Sequence, residues 1–350
     1  MIVEVDLEVF NDSEPSFDLW AVFRQFRIGR HSWFVSDPEA IRRSKWFSME
    51  GMVRRRQIEQ LLVSSERNRR PKLHVRMETR PGTPWTLSVS DAAWWLGLGV
   101  KVLVENASAD GRLVELSLLR VGERVLRRRL GAARAEEVRK SWTQGRGVSG
   151  WFELEHGGGS TLADRAQAFA GERIPPVLLV IVDSDRRWPG AQLGKTARDA
   201  LAVTGATERP PGALLEGWKP EVVVLEQREV ENYIPDEALR ARSGRNRACQ
   251  ALFALSAIQR QHFDHKDGLR HEIVMKKGIA PSDEADTWVW REPQVRSLYS
   301  SARDVTALMQ GFGPDVWRCL LDDDHIHTRG LRERSGNELD RLAVRILDMV

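Results

Sequence analysis

Several things are scarce in this chain, and each scarcity removes a class of protein. There are two cysteines in 350 residues, Cys249 and Cys319. Seventy positions apart, they make neither a disulfide framework nor a thiolate metal site. No run of 18 or more apolar residues occurs, so no membrane-spanning helix is expected. The opening segment MIVEVDLEVF is acidic and alternating, unlike a cleaved leader, and the expected compartment is the reducing cytoplasm. No Gly-Lys-Ser/Thr follows a glycine-rich turn, so the chain carries no Walker-type nucleotide loop. Tyrosine occurs only at Tyr233 and Tyr299, which leaves little for a tyrosine-nucleophile topoisomerase. No zinc module or polymerase signature points to a primase.

What is present is ordinary globular material: 41% hydrophobic residues, 29% charged residues and thirteen tryptophans. The formal net charge is only +3, but it is unevenly spread. Residues 42–80 carry twelve Lys/Arg against four Glu, and residues 120–146 carry nine against three. Basic clusters of this kind bind phosphate backbones through counterion release, and they also occur as solvated helix faces. Arg54, Arg55 and Arg56 are the densest candidates for nucleic-acid contact, with Arg186 and Arg187 as a second pair. Most of the tryptophans are expected in the core, with a few free to stack on bases.

Three regions are expected. Residues 1–97 read as an α+β region, available for docking or nucleic-acid contact. MIVEVDLEVF alternates like an edge strand, WAVFRQFRI, HSWFVS and KLHVRMETR like further strands, and residues 50–65 like a helix. Ser90 is a candidate cap for a helix ahead of AAWWLG. Residues 98–240 alternate strands (VKVLVE, VSGWFELE, PVLLVIVD, EVVVLE) with helical segments, the pattern of a parallel sheet flanked by helices. Residues 241–350 read as helical. Homo-oligomerisation is compatible with all of this.

The chemistry lies at the ends of the middle strands. Glu105 ends the first and Asp110 follows it. Asp183 and Asp185 end and follow the third. Glu226, Glu229 and Glu231 end and follow the fourth. In a parallel sheet these acids gather at one edge, where ligands bind. Crowded carboxylates repel unless a cation compensates. A donor set of oxygen alone favours Mg²⁺ or Mn²⁺. The turn His156-Gly157-Gly158-Gly159-Ser160 reads chiefly as a tight strand-to-helix connection, and His325 and His327 as part of an exposed acidic turn.

The segments VLVENASAD (102–110) and LVIVDSD (179–185) resemble the Toprim signature, a strand-end Glu followed by a strand-end Asp-x-Asp. QREVENYI (227–234) is similar to the Arg-Glu-x-Glu-Asn-Tyr stretch of the OLD-type nuclease branch and related phage-defence proteins. Asn106 stands where these proteins carry Gly, and five positions rather than four separate Glu105 from Asp110. The resemblance covers residues 98–240 and implies a four-stranded parallel sheet holding one or two Mg²⁺ (or Mn²⁺) ions. It also implies Glu105 as ligand or general acid/base, Asp183, Asp185 and Asp110 as ligands, and Lys266 or Lys277 as a charge-stabilising catalytic lysine. The activity implied is hydrolysis of DNA or RNA phosphodiester bonds, in bacterial anti-phage defence, under the control of a separate ABC- or SMC-type ATPase. The competing expectation is a non-catalytic module that binds nucleic acid or a partner.

Overall fold

The computed structural model describes residues 1–12, 17–65, 70–80, 85–143, 151–206, 220–244, 246–275 and 288–349. Its frame is two four-stranded sheets, each wholly parallel. The first contains β1 (Ile2–Val5), β2 (Ser32–Phe34), β3 (Leu73–Arg76) and β4 (Trp85–Ser88), in the order β2-β1-β3-β4. The second contains β5 (Val100–Val104), β6 (Phe152–His156), β7 (Leu178–Val182) and β8 (Glu221–Val224), in the order β6-β5-β7-β8. Both have the same winding: the second strand lies on one side of the first, and the third and fourth lie on the other. The parallel α/β class expected for the middle of the chain is therefore present, and it extends to the N-terminal region.

Differences from expectation follow from apolar period. WAVFRQFRI falls not in a strand but in the helix Phe17–Arg27, which buries Leu19, Val22, Phe23 and Phe26. That 3, 4, 7 spacing is helical; the segment's aromatic and branched residues suggest a strand only by composition. MIVEV is no edge strand, since β1 is paired on both sides by β2 and β3. The helix of residues 89–95 is capped by Ser88, whose side chain accepts from the Asp91 N–H at 3.1 Å, rather than by Ser90. The two residues shift because Leu87 is drawn into the core as part of β4. ACQALFALSAIQRQHF is two helices, Arg247–Phe253 and Ala257–Gln261, divided where Ser256 caps the second. The C-terminal region also contains an antiparallel pair, β9 (Ile273–Met275) with β10 (Trp288–Trp290).

Each sheet has its own core. The first is aromatic: Phe23 lies 4.7 Å from Trp33 and 4.9 Å from Trp46, and Phe10 lies 5.4 Å from Trp46. The second runs from Val100 to Leu347, so the helical tail is part of it. Helix Glu338–Asp348 buries Leu339, Leu342, Ala343, Ile346 and Leu347, and the Ser117 hydroxyl donates to the Leu339 carbonyl at 2.7 Å. β7 is buried along its whole length, as a strand covered on both faces must be. The two units meet where Trp95 Nε1 donates to the Pro175 carbonyl at 2.9 Å and Ile174 enters the N-terminal core.

Candidate metal centre

Sheet order decides which strand ends meet. β5 and β7 are neighbours at the point where the winding reverses, the position at which open parallel sheets take their ligands. Glu105 follows β5 and Asp183 follows β7 there. Asp110 lies in the first turn of helix Ala109–Leu116. Glu229 and Glu231 lie in and beside the single helical turn Val230–Tyr233 after β8. Lys266, from the loop between Gln261 and β9, enters the same space.

The Asp110 carboxylate accepts from the Asn106 N–H at 2.8 Å, while the Asn106 side chain accepts from the Ser108 N–H at 2.9 Å. Asn106 thus closes the longer turn between Glu105 and Asp110 and keeps Asp110 aimed at the sheet edge. The glycine turn flanks Glu105: Gly158 donates to the Glu105 carbonyl at 3.1 Å, with φ of +71° at Gly158 and +49° at Gly159. A Cβ on Gly159 would lie 4.0 Å from Glu105 Oε2, so the turn leaves room beside the carboxylate.

Asp185 is exposed and is the non-glycine residue with positive φ, +51°, among the described residues. That conformation is costly for an L-residue. It is held by two backbone bonds, Asp185 N–H to the Arg228 carbonyl and Gly194 N–H to the Ser184 carbonyl, both 2.9 Å. The Ser184 hydroxyl adds a third, to the Gln227 carbonyl at 2.7 Å.

The 227–234 segment is partly bracing and partly site. Asn232 Nδ2 donates to the carbonyls of Arg260 at 2.7 Å and Phe263 at 3.0 Å, tying the turn to the loop that carries Lys266. Tyr233 donates to Glu338 Oε2 at 2.5 Å, anchoring the last helix. Arg228 and Glu231 form no ion pair with each other, although both belong to this segment. Arg228 pairs instead with Asp264 at 3.0 Å and lies 3.6 Å from both Glu229 and Glu272. Glu231 turns to Lys266, 3.2 Å from its Nζ, with Glu229 at 3.9 Å.

Charge is crowded here. Burial, with Asp110 and Asp185 nearby, pushes the Glu105 carboxyl up to about 7. Burial, then Asp264, raises Glu229 to about 8 against the pull of Lys266 and Arg228. Asp110 is raised to about 6, chiefly by burial, although the Asn106 N–H favours its ionised form. Asp183 is raised well above the usual carboxylate range by burial and by Asp110, Glu231 and Glu105. Burial alone would lower Lys266; Glu231, Glu229 and Asp183 outweigh it, and the ammonium is stabilised. Four buried carboxylate oxygens have no hydrogen-bond partner: Glu105 Oε1, Asp183 Oδ1, Glu229 Oε2 and Glu231 Oε2. Buried acceptors left so are rare and call for an explanation. An all-oxygen set with unused lone pairs suits a hard divalent cation.

Other expected residues stand elsewhere. Glu226 turns away to pair with Arg341. Arg187 is committed to Glu272 through Nε at 2.8 Å and a second, shorter contact, so it is no free phosphate ligand. Arg186 lies beside the site, its backbone carbonyl 2.8 Å from His262 Nδ1. Lys277 lies outside the described residues. Arg54, Arg55 and Arg56 are on helix Met52–Ser64 of the N-terminal unit. Arg54 sits over Trp20 and 3.3 Å from Glu50, and Arg55 donates to the Phe47 carbonyl at 3.0 Å. Asp264 and Glu272 hold Arg228 and Arg187; in the sequence the one signal for them is an acid two residues before Lys266.

Among the described residues, the acids and histidines whose donor atoms all lie within 4.8 Å of one another are Glu4, Asp6 and His74, in the first sheet. No three donor atoms of the second sheet's described acids lie that close together; of these acids, Glu231 and Glu229 pair with the Lys266 ammonium. No helix among the described residues is long and apolar enough to cross a membrane. No family model, curated protein or solved structure matches the chain.

Proposed function

We propose that the acids at the carboxyl edge of the second sheet form the site of a metal-dependent phosphodiesterase, a nuclease of Toprim type acting on DNA or RNA. The observation that carries this reading is the set of four buried carboxylate oxygens without hydrogen-bond partners, on acids that follow neighbouring parallel strands of the second sheet. Glu105, Asp183, Asp185 and Asp110 would hold Mg²⁺ or Mn²⁺, with Glu229 and Glu231 behind them. Bound there, such an ion would supply neutralisation of phosphate charge and activation of water. Glu105 would serve either as a ligand or as the base that takes a proton from the attacking water. Water oxygen bonds to phosphorus, the bridging P–O bond breaks, and the leaving oxygen is protonated. Lys266 can pair with a non-bridging phosphate oxygen if it moves off Glu231. The absence of a nucleotide loop from the sequence fits an ATPase supplied in trans, by a partner of ABC or SMC type, as in anti-phage defence.

The second reading, a non-catalytic binding module, is favoured by the way Lys266 and Arg228 already offset part of the acidic charge. The experiment that separates the two is incubation of the chain with DNA or RNA and Mg²⁺ or Mn²⁺, beside Glu105→Gln. Metal-dependent cleavage lost in the variant supports the nuclease. Nucleic-acid binding without cleavage by the chain, with or without an ATPase partner, supports the module.

A further inference from the structure

The first sheet repeats the winding of the second, and it too carries side chains with metal-binding atoms at its reversal point. β1 and β3 are the neighbours across which the strand order turns. Glu4 and His74 are register partners in those strands. Asp6 is two residues beyond Glu4, so strand alternation puts it on the same face. Val3 and Val5, Leu73 and Val75 point the other way, into the core. The result is a carboxylate–carboxylate–imidazole group on one face: His74 Nδ1 lies 3.2 Å from Glu4 Oε2 and 3.3 Å from Asp6 Oδ1.

We propose that Glu4, Asp6 and His74 form a second divalent-metal site, selective for a first-row transition ion such as Zn²⁺, Co²⁺ or Mn²⁺ over Mg²⁺. The donor set decides the class. One imidazole with two carboxylates suits borderline ions, whereas Mg²⁺ prefers oxygen alone. Three protein donors leave a fourth position open, as in metal sites that keep an exchangeable ligand. Glu4 also lines a cavity of about 110 Å³ with Phe34, Ser36 and Asp37, large enough for water. The Asp6 carboxylate is oriented by its other oxygen, which lies 2.6 Å from Arg76 Nε. An outer partner of this kind fixes a ligating side chain. The alternative occupant of the same geometry is a proton on His74, forming a plain ion-paired triad.

The inference is independent of the nuclease reading and is tested on a different site. The chelator-treated full chain is titrated with Co²⁺ and Zn²⁺ by calorimetry, together with Glu105→Gln/Asp183→Asn, which removes acids of the second sheet. The double variant should bind one equivalent, and the unaltered chain at least that. Adding His74→Asn or Glu4→Gln/Asp6→Asn to that double variant should lower the affinity at least tenfold, with Mg²⁺ competing poorly. Should those variants fail to fold, ring resonances of His74 in the unaltered chain give a second readout, and Co²⁺ should broaden them selectively. No binding to Glu105→Gln/Asp183→Asn, binding unchanged by His74→Asn, or His74 resonances untouched by Co²⁺ would overturn the proposal. Loss of cleavage in Glu105→Gln with this binding intact would bear on the nuclease reading alone.

Discussion

Lys266 Nζ lies 3.2 Å from Glu231 Oε1, a carboxylate whose side chain is only 1% exposed. The ammonium is the nearest positive charge to the most buried acid of the site. Removing one partner of such a pair strands the other in a medium that solvates it poorly. Lys266 is itself 38% exposed, which screens the pair. Lys266→Met is therefore expected to destabilise the metal-free chain by about 1–3 kcal/mol, less than for a fully buried pair. Mg²⁺ should recover most of the loss by taking over charge compensation. Thermal unfolding with and without Mg²⁺ reads this, and a variant as stable as the parent in chelator would refute the pairing.

Glu105→Gln should abolish cleavage and flatten the pH dependence of stability. The folded-state pKa of Glu105 is raised from 4.5 to about 7, so the fold favours its protonated form. That contribution is fully present below pH 4.5 and is lost as pH rises through about 7. Glutamine keeps the shape and does not titrate. At pH 8 without metal the variant is expected to be more stable than the parent by up to about 3 kcal/mol, with little difference at pH 4. Urea unfolding at the two pH values is the measurement.

Asp185 and Gly194 form a steric pair. A Cβ on Gly194 would lie 2.5 Å from the Asp185 Cβ, a clash that no rotation of the carboxylate removes. Gly194→Ala should cost about 1–3 kcal/mol, as overpacking does, and should displace Asp185 and lower cleavage. Asp185→Gly relieves both the clash and the positive φ at that residue. In the double variant the stability loss should shrink, a coupling that a double-mutant cycle measures. Simple additivity would mean that Gly194 matters for another reason.

Neutralising Arg54, Arg55 and Arg56 to Gln should weaken nucleic-acid binding and reduce its salt slope by up to about three units. Arg54 and Arg55 are partly engaged with Trp20, Glu50 and Phe47, so Arg56 should account for the largest single share. An unchanged salt slope in the triple variant would turn this helix into a docking surface for protein.

Much was settled before any tertiary contact is considered. The run VLLVIV reads as a buried strand because every residue is apolar and most are branched, and β7 is buried throughout. Strand ends are set by the same local preferences, so Glu105, Asp110, Asp183, Glu229 and Glu231 can be named as edge acids from their positions alone. The 3.6-residue spacing of Leu339, Leu342, Ala343 and Ile346 identifies the last helix in the same way. These properties belong to a few adjacent residues and need no knowledge of neighbours.

Only the tertiary structure chose the partners. Nothing local distinguishes Lys266 from other lysines that precede a glycine; it enters the site because Asn232 ties its loop to the turn after β8. Arg228 pairs with Asp264 rather than Glu231 because the 3₁₀ turn points Glu231 inward and leaves Arg228 facing that same loop. Glu4 and His74 are 70 positions apart and look like ordinary polar residues of alternating strands until β3 is laid beside β1. Side-chain direction follows the period of the local backbone, whereas strand order and loop crossings depend on which apolar faces can be buried together. That is a property of the whole chain, and it decided which charges had to meet.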